Sequence, residues 1–314
     1  MVPADYVFEL SENQKRQYID AEAVFAAFTQ AKAAAAEVRG SMIWRELRGV
    51  RTLIRTSAAG AQKSIGPHSE ETQKLFDGFM KRKSVAEDRV KALKAQLVIQ
   101  QRLNRAHRVG RVPNIVIAIL KVLEGAGLQE HFTVVGTHAL YAYELAAGVR
   151  IAEQAMATRD VDMLFDTRKR VAFFSTMKKL DSSLIGLLRK ADASFERVPN
   201  QHYTARNKEG FEVDIIRRNA GDVDLHPLRM SDDEEDFWAV QVSMGEKLQS
   251  ARRFDQMVVA TSGEMALMRT VHPQDFARIK LSLSKQSGRD VNKRGKDTLQ
   301  SAVVNWLLEQ HFLH

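Results

Sequence analysis

Two apolar spacings alternate along the chain, one helical and one strand-like. Ser11-x-x-Gln14 has the form of a capping box. The Ala-rich stretch behind it predicts a helix to about Arg39, ended by Gly40. Residues 42–46 (MIWRE) and 52–56 (TLIRT) read as short strands flanking a turn, and Gly60 and Gly66-Pro67 punctuate the stretch after them. Ser69 can cap a second long helix to about Arg105. Its apolar positions, among them Leu75, Phe76, Phe79, Val90, Leu93 and Leu97, keep a period of about 3.6 residues. His107–Pro113 (HRVGRVP) reads as a boundary.

Shorter apolar runs come next. A helix is predicted over about 114–124, closed by Gly125-Ala-Gly127, and a buried strand over Phe132–Val135 that ends at Gly136. Thr137–Ala147 has helical composition, Arg150–Thr158 reads as a connector, and Arg168–Leu180 as another helix. Gln201–Arg206 and Phe211–Arg217, separated by Asn-Lys-Glu-Gly, give a hairpin signal. Met257–Thr261 and Met265–Thr270 give a second, and Pro273–Ser284 and Lys296–Phe312 are predicted closing helices.

Within this pattern, Arg159–Phe165 combines a strand with chemistry. Asp160 and Asp162 lie two apart, so both carboxylates share one strand face while Val161 and Met163 turn to the other. Two like charges this close stay ionised only with a cation between them, and a divalent metal with hard oxygen ligands is the usual solution. A third carboxylate is available in Phe211-Glu-Val-Asp-Ile-Ile216, where Asp214 shares a face with Glu212 and Phe211, Val213 and Ile215 face the core. Strand pairing could bring Asp214 beside Asp160 and Asp162, with Glu212 a rival or a supporting group. Val135-Gly136-Thr137 has the order strand, glycine, hydroxyl, helix, which suits close backbone approach to a phosphate. Helix capping is the competing reading of Thr137. Asp222-Val-Asp224 repeats the acidic spacing but comes after Gly221 and reads as loop. Arg159, Arg217 and Arg289 could touch phosphate or acceptor, with a surface role the leading reading for each. No histidine pair has metal-ligand spacing, and there is no Walker lysine motif and no GxSxG.

Composition narrows the class. The 314 residues are 44% apolar and 27% charged, the profile of an ordinary globular chain. No apolar run reaches the roughly 18–20 residues that span a bilayer. MVPADYVFEL lacks the basic start and apolar stretch of a signal peptide, so a cytoplasmic protein without a membrane partner is expected. With no cysteine, thiolate chemistry is excluded. The net charge of +8 is unevenly placed: residues 1–113 hold 20 Lys and Arg against 12 Asp and Glu, whereas residues 114–314 hold 27 of each. The basic region is either a polyanion-binding appendage or a solvated face of long helices.

Taken in order, Gly136-Thr137, Asp160-x-Asp162 and Asp214 resemble the pattern of the DNA polymerase β-like nucleotidyltransferase fold. The chain looks most like a bacterial family of nucleotidyltransferase-fold proteins, through VVGTHALYAYE (134–144), TRDVDML (158–164), FEVDIIR (211–217) and the helix His272-Pro-x-x-Phe276-x-x-x-Lys280. The 42–67 hairpin and Gly110–Pro113 share that likeness. The arrangement is also similar to nucleotidyltransferase toxins of abortive-infection type.

The resemblance implies an α+β fold with a mixed sheet flanked by helices. It divides the chain into a basic, mainly helical region (1–113), a nucleotidyltransferase core (114–271) and a C-terminal helical region (272–314). It implies transfer of a nucleoside monophosphate from an NTP, ATP among them, to an acceptor hydroxyl, using Mg²⁺ or Mn²⁺. Asp160 and Asp162 would hold metal and triphosphate. Asp214 would complete the metal site and help deprotonate the acceptor. Gly136 and Thr137 would cradle the phosphates, and Lys280 would reach the triphosphate. RNA, in particular a tRNA end, is the expected acceptor through the basic region; a protein or small molecule is the other option, and a toxin would have a cognate antitoxin. The reading from a different class is a non-catalytic nucleic-acid-binding or regulatory protein on the same fold.

Overall fold

The computed structural model describes residues 3–222 and 224–311. From the N-terminus the elements are β1 (Val7–Glu9), α1 (Glu12–Glu37), β2 (Ser41–Leu47), β3 (Val50–Thr56), β4 (Gln62–Pro67) and α2 (Glu70–His107). After these come α3 (Asn114–Gly125), β5 (Phe132–Val135), α4 (Leu140–Ala147), β6 (Val149–Ile151), α5 (Glu153–Met156), β7 (Asp160–Phe165), α6 (Arg170–Leu180) and α7 (Leu184–Ala191). The rest comprises β8 (Glu196–Arg197), β9 (Thr204–Arg206), β10 (Glu212–Arg217), β11 (Leu228–Arg229), β12 (Trp238–Gln241), α8 (Gly245–Ser250), β13 (Arg253–Val259), β14 (Met265–Val271), α9 (Pro273–Ser284) and α10 (Val291–Gln310). The chain forms two compact units, Arg16–Asn104 and Met1–Lys15 with Arg105–His314.

In the unit 16–104, α1 and α2 are joined through polar side chains. Gln17 donates to Gln100 at 2.7 Å and to Asn104 at 3.0 Å. Between the helices, β2, β3 and β4 form an antiparallel sheet. It packs on α2 through Trp44 against Phe76 and through the Arg55 guanidinium over the Phe79 ring at 4.5 Å. Ser69 caps α2 as the sequence predicts, accepting from the Thr72 amide.

The larger unit is built on a nine-stranded mixed sheet. Seven strands run in the order β11-β12-β10-β7-β5-β14-β13, and β9 and then β8 extend it beside the first half of β10. β7 and β10 are parallel, and β5 pairs antiparallel with β7. Both β7 and β10 alternate in burial at their starts and become fully buried at their ends. Val161, Met163, Val213 and Ile215 enter the core, where Phe173 packs edge to face with both Phe132 and Phe165. The same alternation leaves the acidic residues on the opposite face. The mixed sheet flanked by helices is the α+β arrangement that the resemblance implied.

Several elements depart from the sequence reading. β4 adds a third strand where only turn residues stood out. The 150–158 connector contains β6 and α5. α7 was not predicted; its buried Leu184, Ile185, Leu187 and Leu188 pack on α3. α10 begins at Val291, five residues before the expected start, because Asp290 accepts from the amides of Asn292 and Lys293 and caps it. Its expected end at Phe312 lies outside the described residues. Among those residues no helix is long and apolar enough to cross a membrane.

α9 and α10 pack together around a buried charge cluster. Asp297 accepts from Lys280 Nζ at 2.9 Å through one oxygen and from Arg289 through the other, at 2.8 and 2.9 Å. Removing Asp297 leaves two cations without their carboxylate. Asp297→Ala is therefore expected to destabilise the protein by about 3–5 kcal/mol, read as a lowered midpoint in chemical denaturation.

Candidate active site

Register brings the carboxylates together. Asp214 on β10 stands directly opposite Asp162 on β7, and Glu212 opposite Asp160. Asp160, Asp162 and Asp214 each offer a carboxylate oxygen within 4.8 Å of the others. Glu212 is not part of this group; it pairs with Arg206 on β9. Thr158 donates to Asp160, and Thr204 donates to Asp214 at 2.5 Å, so two hydroxyls orient two of the three carboxylates.

The electrostatics are those of an unneutralised cluster. Burial, with the charges of Asp160 and Asp214, pushes the Asp162 carboxyl up to about 7. Burial also raises Asp214, opposed by the Thr204 hydrogen bond and helped by Asp160. Three half-buried carboxylates with hard oxygen donors fit a divalent ion such as Mg²⁺, which would neutralise this repulsion.

Gly136 closes one side of the cluster. It turns the chain off β5 with φ +69°, and a Cβ there would run into Asp162 Oδ2. The positive φ favours glycine, and a Cβ would push the Asp162 carboxylate aside. Thr137 comes next in a single 3-10 turn leading into α4; it is buried, and its hydroxyl accepts from Gln300 Nε2 at 3.2 Å. Gln300 also donates to the Ala155 carbonyl at 2.7 Å, so α10 fixes both the turn and the segment leading to β7. His138 is buried beside Phe211 and Tyr141, with neither ring nitrogen hydrogen-bonded. Burial holds its imidazole down to about 4, so it is neutral at ordinary pH.

Other residues fall differently. Lys280 is buried in the Asp297 pair rather than free. Arg217 is fully buried, with Nη2 at 3.0 Å from His226 Nδ1, and Arg289 is bound to Asp297, so neither is the surface residue expected. Asp224 accepts from the Gly221 amide and pairs with Arg218 and Arg170, a structural loop carboxylate as expected; Val223 lies outside the described residues. Sequence reading missed Gln300 and Lys296, whose Nζ donates to the Ala157 carbonyl at 2.6 Å. The signal was present as polar residues at helical spacing on a helix that otherwise buries Val303, Val304 and Leu307.

A family model described as "Nucleotidyltransferase" matches residues 114–314. No curated protein and no solved structure matches the chain.

The cluster sets clear expectations for metal binding and stability. Gly136→Ala should displace Asp162 and weaken Mg²⁺ binding at least tenfold by calorimetry, with a stability loss of about 1–3 kcal/mol. Protons compete with metal for Asp162, so Mg²⁺ should bind about tenfold more tightly at pH 8 than at pH 6. The Asp162 carboxyl is higher in the fold than its ordinary 3.8, so the metal-free protein should lose stability as pH rises from there through about 7. Asp162→Asn should remove that loss, measured as Tm against pH.

Proposed function

The chain belongs to the nucleotidyltransferase family, and from that premise we propose that it moves a nucleoside monophosphate from an NTP to an acceptor hydroxyl and releases pyrophosphate. The observation that carries this reading is the convergence of Asp160, Asp162 and Asp214 within 4.8 Å. Bound Mg²⁺ or Mn²⁺ supplies the positive charge that holds the triphosphate and offsets charge on the reacting oxygens.

The chain's own residues supply position. Asp160 and Asp162 would hold the metal from β7, and Asp214 would complete the set from β10. Gly136 lets the Asp162 carboxylate sit close against the turn off β5, with Thr137 fixed behind it. The acceptor oxygen bonds to the α-phosphorus as the bond from that phosphorus to the oxygen bridging the α- and β-phosphates breaks. The acceptor's proton passes to Asp214. Catalysis is mainly alignment and charge neutralisation.

RNA, with a tRNA end the leading case, is the acceptor we favour. Support comes from the unit 16–104, which carries 16 Lys and Arg against nine Asp and Glu and lies outside the residues matched to the family. In a cytoplasmic toxin the same chemistry would arrest growth on expression, an arrest relieved by Asp162→Asn and by a cognate antitoxin.

Incubation with Mg²⁺, each of the four labelled NTPs, including ATP, and total RNA should give metal-dependent label in RNA. Asp160→Ala should lower transfer at least 1,000-fold, or about 4 kcal/mol of transition-state stabilisation. No label in RNA, protein or small molecules with any NTP overturns the proposal. RNA binding that is salt-sensitive and unchanged by Asp160→Ala, without transfer, would instead establish a non-catalytic binding protein.

A further inference from the structure

Three lysines come toward the carboxylate cluster from the C-terminal helices, and their ammonium groups are not equivalent. Lys280 on α9 is buried, and its ammonium donates to Asp297, whose second oxygen is taken by Arg289. Its charge is matched inside the fold. Lys296 on α10 is half-buried and donates to the Ala157 carbonyl, three residues before Asp160. Lys293 is exposed, and its ammonium has no hydrogen-bond or ion-pair partner among the described residues.

Helix geometry aims Lys293 at the site. Gln300 reaches Thr137 and Ala155, and Lys296 reaches Ala157, so this face of α10 runs along the turn and the approach to β7. Lys293 lies three residues before Lys296 and seven before Gln300, which places it on the same face one turn further along. It also occupies the first turn of α10, where the helix dipole disfavours a cation. A free ammonium in an unfavourable helix position, beside a cluster that would hold metal and phosphate, has an anionic ligand as its natural counterpart.

We infer that Lys293 contacts the outer phosphates of the incoming triphosphate, and that Lys280 is a positioning residue that sets α9 against α10 through Asp297. The inference rests on the nucleotidyl-transfer reading and refines its substrate contacts. An ammonium on a flexible stem keeps three donors for phosphate oxygens, whereas Lys280 and Lys296 each have a donor committed within the protein.

The test measures binding without turnover. The full chain is titrated by calorimetry, with Mg²⁺ present, with an α,β-methylene NTP analogue, with inorganic tripolyphosphate and with the parent nucleoside. Lys293→Gln should weaken the analogue and tripolyphosphate by about 10- to 100-fold, leave nucleoside binding and Tm unchanged, and leave Mn²⁺ binding without nucleotide unchanged or tighter. Lys293→Arg should recover most of the loss. Lys280→Met should lower Tm and, where folded, weaken tripolyphosphate less than Lys293→Gln does. Wild-type affinity for tripolyphosphate in Lys293→Gln overturns the assignment alone. A wild-type protein that binds neither analogue nor tripolyphosphate overturns the transfer reading and this inference with it.

Discussion

Repulsion among three half-buried carboxylates is the constraint around which the larger unit is built. Parallel pairing of β7 with β10 sets Asp162 opposite Asp214 and leaves Asp160 two positions earlier on the same strand face. The interior side of the same strands is apolar, so the register that fills the core is the register that crowds the charges. A slip of one residue would empty the core and scatter the site together. The cost of crowding appears in Asp162, whose carboxyl is raised to about 7. Thr158, Thr204 and the missing side chain at Gly136 hold the carboxylates in place without neutralising them. The fold thus stores an electrostatic demand that a divalent cation would meet.

The C-terminal helices answer this demand at longer range. Asp297 absorbs Lys280 and Arg289, so α9 and α10 join through a closed ion cluster instead of presenting all their cations to the site. Burial and repulsion from Lys280 disfavour the charged form of Lys296. A site that attracted its own lysines into direct pairs with Asp160 or Asp162 would be neutral before any ligand arrived. Keeping the pairs on Asp297 and the Ala157 carbonyl leaves the acidic cluster available, with Lys293 still unpaired nearby.

The legible part of this site was its local chemistry. Alternation in Asp160–Phe165 and Phe211–Arg217 gave both strands and their acidic faces, because a period of two comes directly from burial on one side. Gly136 was legible as a strand-to-helix turn, and the loop role of Asp224 was legible from Gly221. What escaped depended on partners far along the chain. Lys280 looks like a free helix lysine until Asp297 and Arg289 fold over it. Arg217 sits in a strand whose neighbours bury it completely. Lys293 escaped for a nearer reason: the cap at Asp290 was not recognised, and α10 was expected to begin only at Lys296. A single missed cap removed the residue from the face it shares with Gln300.

Charge is also divided between the two units in a way that bears on mechanism. The unit 1–15 with 105–314 carries 31 Lys and Arg against 30 Asp and Glu, so it offers almost no net long-range attraction to a polyanion. The excess lies in 16–104, beyond the residues matched to the family. In the small sheet of that unit, Arg45, Arg48, Arg51 and Lys63 are exposed. Under the proposed reading, capture of an RNA acceptor and chemistry on the triphosphate depend on different kinds of electrostatics. Capture relies on exposed charge that salt screens, whereas chemistry relies on a half-buried cluster that salt reaches much less. Ionic strength should then act chiefly on the acceptor's KM, while pH in the range set by Asp162 acts on metal binding and hence on the rate.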